Sequence, residues 1–331
     1  MTLHRLLQYL NPETAHQLAI WGLKHHPFLR QSPEIEGISR PFLGKTLLNP
    51  IGLSAGADKN AAALRGWRRL GLGLVEVGTV TVKARSGNPS PRLWRFPEQY
   101  SLVNWLGLPG NGMEHVIANL EIFSRTTERQ HLLLGASIAS PEGIEDELTV
   151  LAEHMAPLCD YIAINVSCPN VEHHHALEQI AMVTKQIQAT ISGAQGKPVM
   201  VKLGPTLQKN ALDQISHAAM EAGVTGFIAT NTVPYANRDI LAHYPELWPM
   251  HDAQPVGGYS GPALLAVSTF MIKHLRQTLG ETVPLIGVGG IQTAGDAVQM
   301  LQAGANAIQL YTGLIYHGAG IVQRMKQALC S

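Results

Sequence analysis

The chain has 331 residues, and its 24 Lys and Arg balance 24 Asp and Glu, so the formal net charge at neutral pH is zero. That balance argues against a nucleic-acid footprint, and three cysteines without paired spacing (Cys159, Cys168, Cys330) form neither a disulfide framework nor a zinc site, which fits a reducing compartment. The start of the chain lacks a signal-peptide pattern and no run approaches ~18 continuous apolar residues, so neither secretion nor a membrane span is expected.

The first 45 residues read as a separate extension. Leu3, Leu6, Leu7 and Leu10 fall on one face of a short helix. Asn11-Pro12-Glu13 then supplies an N-cap, a proline at the first helical position and an acid in the first turn of a second helix. That helix has Ala15, Leu18, Ala19 and Gly22 on one side, with His16 and Trp21 nearby. Two roles stay open: a cap for the bottom of the domain that follows, or a monotopic membrane patch or lid over an apolar tunnel. Five basic residues (Arg5, Lys24, Arg30, Arg40, Lys45) against three acids (Glu13, Glu34, Glu36) lean towards an anionic surface.

From residue 50 the pattern becomes regular. Strands are expected at 50–56, 74–80, 132–139, 161–168, 198–205, 226–233, 284–290 and 307–313, rich in Val, Ile, Leu and Ala as strands enclosed on both faces should be. Helical segments lie between them, among them 207–222 and 294–302. Eight strand-then-helix units predict a single (β/α)8 barrel over 46–331, an α/β fold in which strand C-terminal ends carry the chemistry. Two connections at that face are long, 81–109 and 234–260, and long loops in a compact domain are usually functional or mobile.

The fourth strand runs into Asn165-Val166-Ser167-Cys168-Pro169-Asn170. A thiol flanked by two carboxamides and rigidified by a proline is a candidate general base or nucleophile; a cysteine alone there would sooner be a buried, inert turn residue, and the surrounding residues favour the functional reading. Other strand ends contribute Ser54-Ala55-Gly56 with Lys59, Gly78-Thr79, Lys202, Thr230-Asn231-Thr232, Gly287-Val288-Gly289-Gly290 and Tyr311-Thr312-Gly313. Glycines after the last two strands let backbone N–H groups approach a phosphate. Lys202 points from the barrel centre, where an unpaired ammonium is costly, so a bound anion or electron-rich ring is expected beside it. Asn104, Asn165, Asn170 and Asn231 suit a planar heterocycle with amide edges. His173-His174-His175 reads as a solvated loop tip, and no metal site is expected.

The chain resembles dihydroorotate dehydrogenase, the flavin enzyme of pyrimidine synthesis, over nearly its full length. The resemblance is carried by residues 49–53 through Asp58-Lys59-Asn60, by residues 76–81, by Gly87-Asn88-Pro89 with Pro91-Arg92, by Ala229-Thr230-Asn231-Thr232, and by residues 257–261, 286–291 and 309–313. It implies FMN held by Ala55, Gly56, Lys59, Thr79, Ser137, Asn165, Lys202, Thr230, Gly261, Gly290, Tyr311 and Thr312. It implies contacts to dihydroorotate or orotate from Lys59, Asn104, Trp105, Leu106, Gly107, Leu108, Asn165, Asn170, Asn231 and Thr232, with Cys168 as the catalytic base.

The N-terminal stretch Asn11-Pro12-Glu13-Thr14-Ala15-His16 is similar to that of the membrane-associated, quinone-using class, whose helices form a tunnel to the flavin. That likeness implies His16, Arg95 and Tyr311 at the quinone end, and peripheral attachment at the cytoplasmic face of the inner or cell membrane. Cys168 departs from this class, which has serine there, and matches the cytosolic one; Leu106-Gly107-Leu108-Pro109 does likewise. Ser137 stands where the quinone class has an asparagine on FMN, and Ala139-Ser140-Pro141 and the His173 loop also differ. Quinone is the expected acceptor; fumarate or another soluble acceptor, a flavin-binding homologue with altered activity, and a barrel acting on a phosphorylated sugar are the alternatives.

Overall fold

Eight of the apolar runs close into a parallel barrel in a computed structural model, which describes residues 6–25, 31–165, 176–206, 208–234 and 257–330. Ahead of the barrel lies an antiparallel hairpin, β1 (Arg40–Phe42) and β2 (Lys45–Leu47). Barrel strands β3 (Ile51–Leu53) and β4 (Leu74–Val80) follow. Next come β5 (Leu93–Phe96) and β6 (Ser101–Asn104), outside the barrel, then β7 (Leu133–Ile138), β8 (Tyr161–Asn165), β9 (Val199–Leu203) and β10 (Gly226–Ala229) within it. The chain continues through the non-barrel strands β11 (Val233–Pro234) and β12 (Gly258–Ser260) to β13 (Leu285–Val288) and β14 (Ala307–Leu310). Around the barrel the order is β10-β13-β14-β3-β4-β7-β8-β9. Every expected strand is present. β4 has the expected bounds, whereas β3, β7, β9, β10, β13 and β14 are shorter than expected; beyond β3, β10, β13 and β14 the next residues turn away to line the site. β8 is described to Asn165, beyond which 166–168 lie outside the described residues.

Along each strand alternate residues serve two cores. Val75, Val77, Ile162, Ile164, Val201 and Leu203 face the surrounding helices, while Leu74, Tyr161, Ala163, Met200, Ile228 and Ile286 fill the barrel interior. The hairpin inserts Phe42 and Leu47 into that interior core. Its two-residue turn has Leu43 and Gly44 both at positive φ (50° and 75°), the twist that suits a tight hairpin. It plugs the N-terminal end of the barrel, a role the sequence left open to the helices.

Gly135 makes room for the large Tyr161 side chain, since a Cβ there would lie 2.1 Å from the phenol ring. Gly135→Ala is therefore expected to destabilise the fold by ~1–3 kcal/mol, the usual scale of overpacking. Thermal unfolding of the variant against wild type checks it.

The helix Pro12–His25 starts as the sequence predicts, with Asn11 Oδ1 accepting from the backbone N–H groups of Glu13 (3.0 Å) and Thr14 (3.4 Å). It packs beside β5 and the helix Leu64–Arg69, where Leu23 approaches Gly66 so closely that a Cβ would meet its carbonyl oxygen at 2.5 Å. Its apolar residues do not share one face. Ala15 is buried and Ile20 and Leu23 pack on the core, whereas Leu18 and Trp21 (64% exposed) point outwards. Of the helix expected before it, only Leu6 and Leu7 are helical among the described residues 6–10.

The two long connections meet. β5 and β6 from the first, with β11 and β12 from the second, form a four-stranded antiparallel sheet in the order β11-β12-β6-β5. This sheet belongs to the loops at the C-terminal end of the barrel and flanks the site.

Candidate active site

The strand ends enclose a cavity of about 260 Å³. β3 and its following loop bring Ser54, Ala55, Gly56 and Lys59; β4 brings Thr79; β6 and its loop bring Asn104, Leu106, Gly107 and Leu108. Asn165, Lys202 and Thr230-Asn231-Thr232 come from β8, β9 and β10, Gly261 from beyond β12, Gly290 from beyond β13, and Tyr311 and Thr312 from beyond β14. Inward-facing positions just above the apolar layers thus change from aliphatic to polar.

Lys59 is fixed by its loop. The buried Asp58 carboxylate accepts from the backbone N–H groups of Ala62 (2.7 Å) and Ala63 (2.9 Å) and from Trp67 Nε1 (3.1 Å). Lys59 Nζ donates to Gly56 O at 2.7 Å. Burial pulls the Lys59 ammonium down to about 8, with the Asp58 and Glu13 carboxylates opposing. A cation held this dry gains strongly from an anionic ligand. Burial and the Lys59 charge likewise push His16 down to about 4, so this imidazole is neutral at physiological pH.

Asn231 Nδ2 donates to Asn165 Oδ1 at 3.0 Å, and Asn104 Nδ2 donates to Gly258 O at 3.0 Å. Each amide has one acceptor and two donors, so these bonds orient the side chains while leaving capacity for a ligand. Thr312 Oγ1 donates to Ser260 Oγ (2.9 Å), tying β14 to β12, and Thr230 Oγ1 donates to Leu203 O (3.0 Å).

Several expectations change. Lys202 is not unpaired: its Nζ lies 3.6 Å from Glu76 Oε1 and 3.2 Å from Ser54 Oγ. Ser137 and Trp105 do not line the cavity. The Ser137 hydroxyl shares a hydrogen bond with Thr79 Oγ1 (3.0 Å), and the Trp105 backbone N–H donates to Arg92 O (2.8 Å). Cys168, Asn170 and His173-His174-His175 lie outside the described residues.

His16 and Arg95 stand away from the cavity lining, on the N-terminal helix and on β5. Arg95 donates to the carbonyls of Leu7 (3.1 Å) and Leu10, and Arg92 forms an ion pair with Glu13 (2.8 Å). The extension is therefore fastened to the same loop that supplies Asn104 to Leu108.

Sequence reasoning passed over Glu76, Gln309 and Gln292. Gln309 and Gln292 line the cavity, and Glu76 lies below it. Glu76 is the one charged residue in the run Leu74–Val80 and Gln309 the one polar residue in Ala307–Leu310, which is the signal that marks them.

The sequence profile described as Dihydroorotate dehydrogenase matches residues 38–331. The chain belongs to the dihydroorotate dehydrogenase family. Within this flavin-dependent family it is 36% identical to the dihydroorotate dehydrogenase (quinone) of Rhodopseudomonas palustris, over 98% of this chain and 89% of that one. It is 37% identical to the enzyme of the same name from Albidiferax ferrireducens, over 95% and 93%. A crystal structure of DHODH from Eimeria tenella in complex with ferulenol superposes with a TM-score of 0.83 at 30% identity, covering 96% of this chain and 90% of that one. This dihydroorotate dehydrogenase assignment replaces the phosphosugar alternative.

Proposed function

We propose that this chain oxidises dihydroorotate to orotate in pyrimidine biosynthesis, with FMN in the strand-end cavity and a quinone as electron acceptor. The observation that carries the reading is a family match over residues 38–331 together with a cavity lined by most of the residues expected from the resemblance. The lining suits a flavin. A Cβ at Gly290 would meet Leu265 N at 2.2 Å and one at Gly261 would meet Ser101 Cβ at 2.5 Å, so bare backbone borders the cavity there. Lys59 and Lys202 offer cations, and the buried Gln292 Oε1 and Gln309 Oε1 are acceptors without a partner among the described residues. Ala55, Gly56, Thr79, Thr230, Gly290, Tyr311 and Thr312 would border FMN, whose bound form supplies the redox chemistry.

The chain's own residues do the rest. Lys59 holds the substrate carboxylate, and Asn104, Asn165, Asn170 and Asn231 hold the amide edges and the enolate charge as it develops. Cys168, three positions beyond the end of β8, takes the proton from the carbon next to the carbonyl. Purified protein is expected to be yellow, with FMN as the flavin released on denaturation.

Residues 1–45 are the quinone-side extension and 46–331 the catalytic barrel in this reading. The outward Leu18 and Trp21, with exposed Leu6, Tyr9 and Leu10, support peripheral attachment to the cytoplasmic membrane face; among the described residues no helix is long and apolar enough to cross a membrane. His16 and Arg95 flank the entry for quinone, with Tyr311 at its inner end. Changing His16 or Arg95 is expected to slow reoxidation by a short-chain quinone while leaving reduction by dihydroorotate nearly intact, and anionic vesicles should raise quinone turnover. Equal quinone rates in wild type and variants would rule out the tunnel. Cys168 and Leu106–Pro109 favour fumarate as the second reading; rapid reoxidation by fumarate, indifferent to lipid, is the outcome that selects it.

A further inference from the structure

Beneath the cavity floor, the barrel interior holds a charged group outside the set of residues proposed to touch substrate. Glu76 on β4 is fully buried, 0% exposed. Its Oε2 accepts from Tyr161 OH (2.9 Å) and from Gln309 Nε2 (3.0 Å), while Oε1 has no hydrogen-bond partner among the described residues and faces Lys202 Nζ at 3.6 Å. Both hydrogen bonds therefore fix one oxygen and leave the other for the ammonium. Tyr161 cannot shift, because its ring fills the space that Gly135 leaves. Burial and the neighbouring carboxylate keep the Tyr161 hydroxyl protonated, so it remains a donor.

The pair is asymmetric. Lys202 lines the cavity and Glu76 does not. Its positive end thus meets whatever occupies the cavity, and its negative end stays in the protein. A buried ion pair serving stability alone gains little over an apolar pair of the same volume, and it gains nothing from turning one end towards a ligand. We propose that Glu76 is a positioning residue that keeps the Lys202 ammonium aimed at the flavin, and that it partly offsets the lysine charge so that the pair sets the flavin reduction potential. The proposal rests on the flavin reading above.

Reduction adds negative charge to the bound flavin, so the sum of fixed charges beside it moves the potential. With the flavin-loaded protein at fixed neutral pH, dye-equilibration titration of Glu76→Gln is expected to give a more positive potential. The equilibrium between bound oxidised and reduced flavin should shift towards the reduced form by on the order of tenfold. Glu76→Asp keeps the charge but withdraws it by one methylene, and is expected to fall between Glu76→Gln and wild type; it carries the test should the glutamine variant not fold. In Glu76→Gln/Lys202→Met the positive shift should vanish, because the cation it exposes is gone. Stoichiometric flavin with a wild-type potential in the variants would overturn the proposal and leave Glu76 a packing residue. A wild-type protein that takes up no flavin would instead overturn the reading on which it rests.

Discussion

Cys168→Ala is expected to leave flavin bound and to slow its anaerobic reduction by dihydroorotate by a factor on the order of 10²–10⁴, the usual loss on removing a general base. A thiol with an ordinary pKa near ~8.5 is already partly thiolate at neutral pH, whereas a serine hydroxyl needs more from its surroundings. Cys168→Ser should retain part of the rate, because serine serves as the base in the quinone class that the chain resembles. Flavin affinity should not change, since Cys168 is not among the residues expected to border FMN, most of which come from other strand ends. Stopped-flow reduction at wild-type rate in the alanine variant would make Cys168 a structural residue.

Lys59→Met should lower kcat/KM for dihydroorotate by on the order of 10²–10³-fold, the scale of truncating one member of a buried charge pair. The ammonium sits in a loop organised by Asp58 and is held at about 8 by burial. A bound carboxylate favours its charged form, so orotate binds the protonated enzyme. Orotate affinity is therefore expected to stay level below about pH 8 and to weaken by up to tenfold per unit above it. Perturbation of the flavin spectrum by orotate measures this, and in Lys59→Met the break near that pH should disappear. A break that persists in the variant would assign it to another group.

Much of the architecture was legible because the local signals agree. The helix Ala294–Gln302 has the bounds read from sequence, since Thr293 and Asp296 form a capping box: Thr293 Oγ1 accepts from Asp296 N and Asp296 Oδ2 accepts from Thr293 N. Asn11 and Pro12 mark the start of the N-terminal helix in the same way. The hairpin at 40–47 escaped notice because its strands have three residues each, too few for a periodic pattern, and Gly44 was its one strong mark. The four-stranded sheet escaped because β6 and β12 pair across a long sequence separation, which a local pattern does not encode.

The site was legible to a different depth. Strand ends identified most of the cavity lining, because a barrel delivers its loops to one face. Glu76 and Gln309 were hidden because strands covered on both faces lack visible alternation, so one polar residue within them resembles noise. The pairing of Lys202 followed from that omission: its counter-charge lies on a strand whose inward direction is fixed only by closure of the barrel.

Anaerobic mixing of the flavin-loaded protein with dihydroorotate, monitored by the flavin's visible absorbance, tests the central claim most directly. The account predicts rapid, stoichiometric bleaching with release of orotate, followed by recovery of the colour when quinone is added. Bound flavin that stays oxidised in the presence of dihydroorotate would contradict it.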